Sequence, residues 1–161
     1  MKTYVIFSTV LLNALSTEFF FAWSVSVILG TKKVGDATYL ETMQSINKEI
    51  LNPVFFIVFF GSLVTLLITA YLQFNNKTVF WIVFAATIIY LIGTFGVTAF
   101  GNVPLNNELD ALNLNNLNLT ELKDFRTYYE SRWNHFHSIR TISNILSFIL
   151  LLISIFIQKT F

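Results

Sequence analysis

Four stretches of this chain are each long and apolar enough to cross a bilayer, and that feature constrains its fold more than any other. A spanning helix needs ~20 mostly apolar residues, and residues 4–29, 53–74, 79–100 and 141–157 supply them. Membrane strands use only ~10 residues apiece, so an all-α protein is predicted. Composition agrees. Mean hydropathy is +0.65, and only 12% of the residues are charged, where a soluble domain carries about 25%. The 18 Phe in 161 residues exceed what the small core of a soluble domain could bury, which excludes a soluble enzyme. A net charge of +1 provides no basic field for nucleic acid. With no Cys, disulfides, thiolate zinc sites and iron–sulfur clusters are excluded.

Lys2 ahead of an apolar run, with Ala14-Leu15-Ser16 further on, imitates a signal peptide. The run continues too far past that point for a signal, so an uncleaved helix is expected. The Gln73–Thr78 turn is short and forces its flanking helices to be antiparallel neighbours. The expected architecture is therefore a single domain over residues 1–161, an integral-membrane, up-down four-helix bundle with two long loops on one side, the second carrying short helices. Both long connections, residues 30–52 and 101–140, then lie opposite the termini, and any elaborate chemistry belongs at their end. That side holds seven Lys/Arg against three (Lys2, Lys77 and Lys159), but the seven are spread over long, acid-balanced loops, and charge leaves the orientation open.

Glu18 is the only ionisable residue well inside a spanning segment. An intramembrane charge costs ~2.5–3.5 kcal/mol on insertion scales and usually faces a partner or a water-filled cavity. It reads as a proton acceptor or ligand, or else as a structural acid. Counting back from the end of its helix puts it ~16 Å deep at ~1.5 Å per residue, facing the bundle interior and linked to His137 or Arg140. In the last segment Asn118 and Glu121 have capping spacing, and from there Arg126, Glu130, Trp133, His137, Arg140 and Asn144 recur at intervals of four and three. Such a stripe lies on one helix face, and its persistence to Asn144 predicts that it faces the interior. Were it solvated instead, Arg140 would snorkel to headgroups.

His135 and His137 are two residues apart and point to different faces of a helix, so no metal site is expected. Asn52-Pro53 reads as a cap with Pro at the first helical position. Asn102-Val103-Pro104-Leu105-Asn106 reads as the end of the third helix, with Pro104 opening a short new one. Helix N-termini here could hold an anion, although plain capping is the commoner use. Thr87, Tyr90, Thr94 and Thr98, near Gly93 and Gly96, look like packing glue, with Tyr90 the one candidate for a further role. Asn118-Leu119-Thr120 matches a glycosylation sequon, a pattern too frequent to count.

Phe20-Phe21-Ala22-Trp23-Ser24, Met43-Gln44-Ser45-Ile46-Asn47, Asn52-Pro53, Asn102-Val103-Pro104-Leu105-Asn106, and Trp133 with Arg140-Thr141 occur in this order. Together they resemble the anthrone oxygenase-like family of small four-helix membrane proteins, whose bacterial members are mostly a domain of unknown function. The resemblance implies oxidation of a hydrophobic phenolic or anthrone-like molecule by molecular oxygen, with no cofactor, in a bacterial inner (cytoplasmic) membrane. Glu18 and His137 depart from the family pattern, which usually has a small residue and an Asn there. On this reading Glu18 or His137 is the base, and Arg140 with Asn102 and Asn106 are the oxyanion partners. Trp133 is an aromatic wall, and Asn47, Asn52, Asn144 and Tyr90 are further binding residues. The competing expectation is a non-enzymatic membrane protein that binds a lipid, a quinone or a partner helix in the same pocket, as an oligomer or alone.

Overall fold

The computed structural model describes residues 2–160, which contain no strand. Five helices follow one another: α1 Lys2–Thr31, α2 Asp36–Glu49, α3 Pro53–Leu72, α4 Lys77–Asp110 and α5 Leu119–Thr160, with one 3-10 turn at Leu114–Asn116 before α5. The side chain of Lys159, counted above with the short side, lies outside the described ones. Helices α1, α3, α4 and α5 are long and apolar enough to cross a membrane. Their starts follow local chemistry. Asn52 accepts the Phe55 N–H at 3.0 Å with Pro53 at the first helical position. Asn118 and Glu121 bond each other's backbone N–H reciprocally, the arrangement that fixes a helix entry.

The four long helices close a ring in which every neighbour is antiparallel. Thr9 meets Thr69 and Phe19 meets Phe55 between α1 and α3. Ser16 meets Asn144 and Ser24 meets His137 between α1 and α5. Ser147 bonds the Ala86 carbonyl, and Gly101 abuts Phe136, between α4 and α5. Tyr90 donates to the Phe59 carbonyl between α4 and α3. Small hydroxyl residues fill the interior and mostly return their hydrogen to a carbonyl one turn back, as Ser62 and Thr87 do. They let the helices approach closely without stranding polar groups. Outward-facing Phe56, Ile57, Leu67, Trp81, Ile149 and Ile153 are exposed, a surface suited to lipid.

Helix length places the site. At 20 residues α3 is about 30 Å long, which matches a hydrocarbon core. The others have 30, 34 and 42 residues. Thr9–Thr69 and the Gln73–Gln158 bond align them with α3 at the short-loop end, so all three overshoot it at the long-loop end. Over that overshoot lies α2. Its Tyr39, Leu40 and Met43 pack on Leu105, Leu109, Leu122, Tyr129 and Trp133. Burial raises the Tyr39 phenol above its ordinary value, and the Glu130 carboxylate adds to the effect, so the Tyr39 hydroxyl stays protonated.

One expectation is corrected. The third spanning helix does not stop at Asn102 with a new helix at Pro104; α4 is continuous to Asp110. Its π-helical stretches Tyr90–Gly96 and Thr98–Asn102 are the reason. Pro lacks an N–H and its ring collides with a carbonyl in a regular helix interior. The wide turns end just before it, leaving Pro104 in the first turn of the α-helical stretch Val103–Asp110. No free helix N-terminus therefore exists at Asn102 to hold an anion.

Candidate functional site

Where α1, α4 and α5 overshoot α3, they enclose a cavity of about 190 Å³ lined by Phe19, Phe20, Trp23, Phe55, Asn102, Asn106, Trp133, His137 and Arg140, with Asn47 and Lys48 of α2 and Asp110 toward the outside. Its walls are aromatic. Trp133 stacks on the His137 ring at 5.1 Å and leans on Trp23 at 5.7 Å. The exposed Lys48–Asp110 pair, 2.8 Å apart, lies at its outer side and contributes little on its own.

Arg140 is the centre of the arrangement. It is 8% exposed, and its guanidinium sits 4.9 Å from the Phe20 ring centre and 4.8 Å from that of Trp133. It donates through Nε and Nη2 to Nδ1 of His137, at 3.3 and 3.1 Å. Among the described residues the ion pairs involve Lys48 and Arg126 only, so no carboxylate lies within 4.0 Å of this buried cation. Cation–π contacts are worth about 2 kcal/mol when desolvated, less than the several kcal/mol that burying an ion costs.

The hydrogen bonds also fix the His137 tautomer. Arginine can only donate, so Nδ1 must accept and Nε2 must carry the hydrogen. The Nε2–H then faces Ser24 Oγ at 2.9 Å and the Phe20 carbonyl at 3.2 Å. Both acceptors lie at the edge of the π-helical turn Trp23–Val27, a kind of irregularity frequent at functional sites.

The amides are polarised too. Asn102 donates Nδ2 to the Trp133 carbonyl at 3.2 Å, while its buried Oδ1 has no hydrogen-bond partner. In Asn106 the roles are reversed. Its Oδ1 accepts from Trp133 Nε1 at 2.9 Å and from Tyr129 Oη at 3.1 Å, leaving the amide N–H end uncommitted to these two. Asn47 donates to Tyr129 at 3.1 Å and braces that group.

The expected stripe of α5 faces inward, with Trp133, His137, Arg140 and Asn144 all buried, but its members divide. Arg126 bonds Asp36, Glu130 and the Val34 carbonyl and so ties the α1–α2 turn to α5. Asn144 is spent on Ser16 and Thr17, below the cavity. Tyr90 is likewise engaged with Phe59 and Ser16. Asn52 uses both ends of its amide on backbone, at Phe55 and Glu49. Of the candidate residues the cavity gathers Asn47, Asn102, Asn106, Trp133, His137 and Arg140; Asn52, Tyr90 and Asn144 lie outside its lining.

Glu18 requires a second correction. It is exposed and not in the cavity. Ser16 and Phe20, on either side of it, are both buried, and two residues along a helix is about 200° round its axis. Its depth differs as well. The Phe19–Phe55 contact sets Glu18 level with the first turn of α3, close to the membrane boundary, because α1 continues past that level. Glu18→Leu is accordingly expected to leave ligand retention unchanged, and its effect on melting temperature should add to that of Arg140→Gln. A coupling beyond about 0.5 kcal/mol between separate sites would show that the two groups interact.

Among the residues that sequence reasoning passed over as site members are Phe19, Phe20, Trp23 and Phe55 of the lining and Ser24, which bonds His137. The signal was present. Thr9, Asn13, Ser16 and Phe20, the buried positions of α1, are spaced four, three and four apart, and the same face continues to Trp23 and Ser24. His135 is exposed while His137 is buried, and among the described residues no three His, Asp or Glu side chains converge as a metal site would require.

The family described as anthrone oxygenase matches residues 55–150, more than half of the chain. The chain belongs to that family. No curated protein and no solved structure matches it. The matched region of this anthrone oxygenase family member includes Asn102, Asn106, Trp133, His137 and Arg140. The α1 and α2 parts of the cavity, with Phe20, Trp23 and Asn47, precede it.

Proposed function

We propose that this protein oxidises a hydrophobic phenolic or anthrone-like molecule with molecular oxygen in the Arg140 cavity, within a bacterial inner membrane. The observation that carries the reading is Arg140, a buried cation between two aromatic rings with no carboxylate beside it. A planar aromatic ligand whose oxygen is, or becomes, an anion complements both features.

In this mechanism the ligand oxygen draws the guanidinium away from His137, which frees the Nδ1 lone pair. That nitrogen takes the proton from an acidic ring C–H, and the electron pair moves onto the ligand oxygen as an enolate neutralised by Arg140. Stabilisation of developing charge in a dry site is usually the largest catalytic contribution, and a positioned base adds ~10²–10⁴-fold. The enolate carbon is oxidised by O₂ to a hydroperoxide, which recovers the proton. Loss of water, with cleavage of the O–O bond and of the second C–H, gives the ketone. One O₂ is consumed and one water released for each CH₂ converted to C=O, and the balance requires no further oxidant.

The test is oxygen uptake by the purified protein in mild detergent with anthrone as substrate. One O₂ per anthraquinone formed is expected. His137→Gln, which keeps an acceptor for Arg140 but is a poor base, should lower kcat by about 10²-fold and change KM little. Uptake no faster than in protein-free buffer would overturn the reading. If phospholipid also co-purified in equal stoichiometry, the cavity would be that of a lipid-binding protein.

A further inference from the structure

The cavity is not equally closed on all sides. Toward α1 and α5 its lining is buried or half-buried, as Phe19, Phe20, Trp133 and Arg140 are. Its exposed lining residues are Lys48 and Leu51, at the end of α2 and just beyond it, and Val103, Asn107 and Asp110 on α4. The mouth therefore lies between these two lips. The short α3 creates it. The first turn of α3 is level with Phe19, and above Pro53 only the end of α2 and the turn at residues 50–52 cross the gap between α1 and α4. Because α3 matches the hydrocarbon core in length, a mouth just above its start opens into the headgroup layer, which adds ~5–7 Å on each side. The mouth is also graded in polarity. Leu51, 65% exposed, and Val103, 42% exposed, are disfavoured against water but not against lipid. Asp110 stands seven residues beyond Val103, ~10 Å further from the bilayer, and its 2.8 Å bond to Lys48 joins α4 to α2 on the side toward water.

We propose that the cavity is loaded sideways from the bilayer. An apolar ligand dissolved in the membrane enters at headgroup depth between Leu51 and Val103, over the start of α3, while the Lys48–Asp110 pair spans the aqueous side of the mouth. The bilayer is then the reservoir, and occupancy follows the ligand's concentration in lipid, not in water. This rests on the cavity being the binding site named above but not on the oxygenase chemistry.

The chain has no Cys, so single cysteines can report on the mouth in phosphatidylcholine vesicles. The ratio of labelling by N-dodecylmaleimide to labelling by a sulfonated, membrane-impermeant maleimide is compared at three positions. It should be at least ten-fold higher at Leu51→Cys and at Val103→Cys than at Asn115→Cys, an exposed position at the same end of the bundle. Entry is then read with 4-bromotoluene, a bilayer-soluble heavy-atom quencher, in a Trp81→Phe background where only Trp23 and Trp133 emit. N-cyclohexylmaleimide attached at Leu51→Cys should slow the onset of quenching ten-fold or more, whereas the same label at Asn115→Cys should leave it unchanged. Should Leu51→Cys fail to fold, Val103→Cys carries the same comparison. Equal labelling ratios at the three positions would overturn the proposal, as would quenching absent from the unlabelled protein or undiminished in rate by the label. A slowed onset without oxygen uptake would remove the oxygenase reading alone; uptake of oxygen with anthrone that the mouth label leaves unchanged would remove this inference alone.

Discussion

Arg140→Met should raise the melting temperature of the detergent-solubilised protein while sharply lowering the proposed oxygen uptake. In the native chain the guanidinium is buried between Phe20 and Trp133 with no carboxylate within ion-pair distance. An unpaired buried ion loses several kcal/mol of hydration. The two ring contacts and the bonds to His137 Nδ1 return only part of it. Met has similar length, fits irregular gaps and favours contact with aromatic rings. The substitution does leave Nδ1 of His137 without its donor, at a cost of about 1 kcal/mol. The net expectation is a gain of about 1–3 kcal/mol, with each kcal/mol worth roughly 2–4 °C at this chain length. Oxygen uptake should fall by about 10²–10³-fold, the scale for removing one charge-stabilising group. Stability and function are opposed at this position, as expected where a site is organised for a ligand and not for the apo fold. A fall in melting temperature of the same size would show that the protein itself uses the cation, and the case for an anionic ligand would lose its main support.

Gly93→Ala should be the most damaging small substitution in the membrane core. A Cβ at Gly93 would lie 2.1 Å from Ser143 Oγ and 2.5 Å from Ser143 Cβ. Rotating the hydroxyl relieves only the first of these, because the second atom is fixed to the α5 backbone. The two helices must therefore separate at the wide turn of α4. Overpacking of this kind costs about 1–3 kcal/mol, and close approach through small residues is a main source of helix association in a bilayer. The displacement also reaches the cavity, since Ser143 lies one turn from Arg140 on α5. Thermal melting of Gly93→Ala, Ser143→Gly and the double variant should show a coupling of at least about 1 kcal/mol, with the double variant near native. Additive losses would mean that the contact is not what limits this position. Gly101 is tight as well: the nearest atom, 2.8 Å away, is Cγ of Phe136, which does not move when the ring turns about its own bond.

The four spans, the Asn52-Pro53 start of α3, the Asn118–Glu121 start of α5 and the inward stripe through Trp133, His137 and Arg140 were all legible in the sequence. Each depends on a local property: apolar length set by bilayer thickness, capping chemistry, or helical periodicity. The end of the third helix was not. Pro104 is a strong local stop signal, and only the π-helical turns, stabilised where α4 packs on α5, carry the helix past it. Glu18 failed for a related reason. Its depth depends on how far α1 extends beyond α3, a relation between two helices that no single segment contains, although the spacing of Asn13, Ser16 and Phe20 already turned it outward. The polarity of the site was beyond the sequence altogether. Asn102 and Asn106 carry the same side chain, and only their different partners, the Trp133 carbonyl for one and the Trp133 and Tyr129 donors for the other, leave the oxygen of the first without a donor and the oxygen of the second occupied. A sequence therefore determines which helices form and which faces they bury, because those follow from short-range chemistry and the solvent. Which hydrogen-bonding atoms remain for a ligand is decided in the tertiary structure, where neighbouring helices use up the rest.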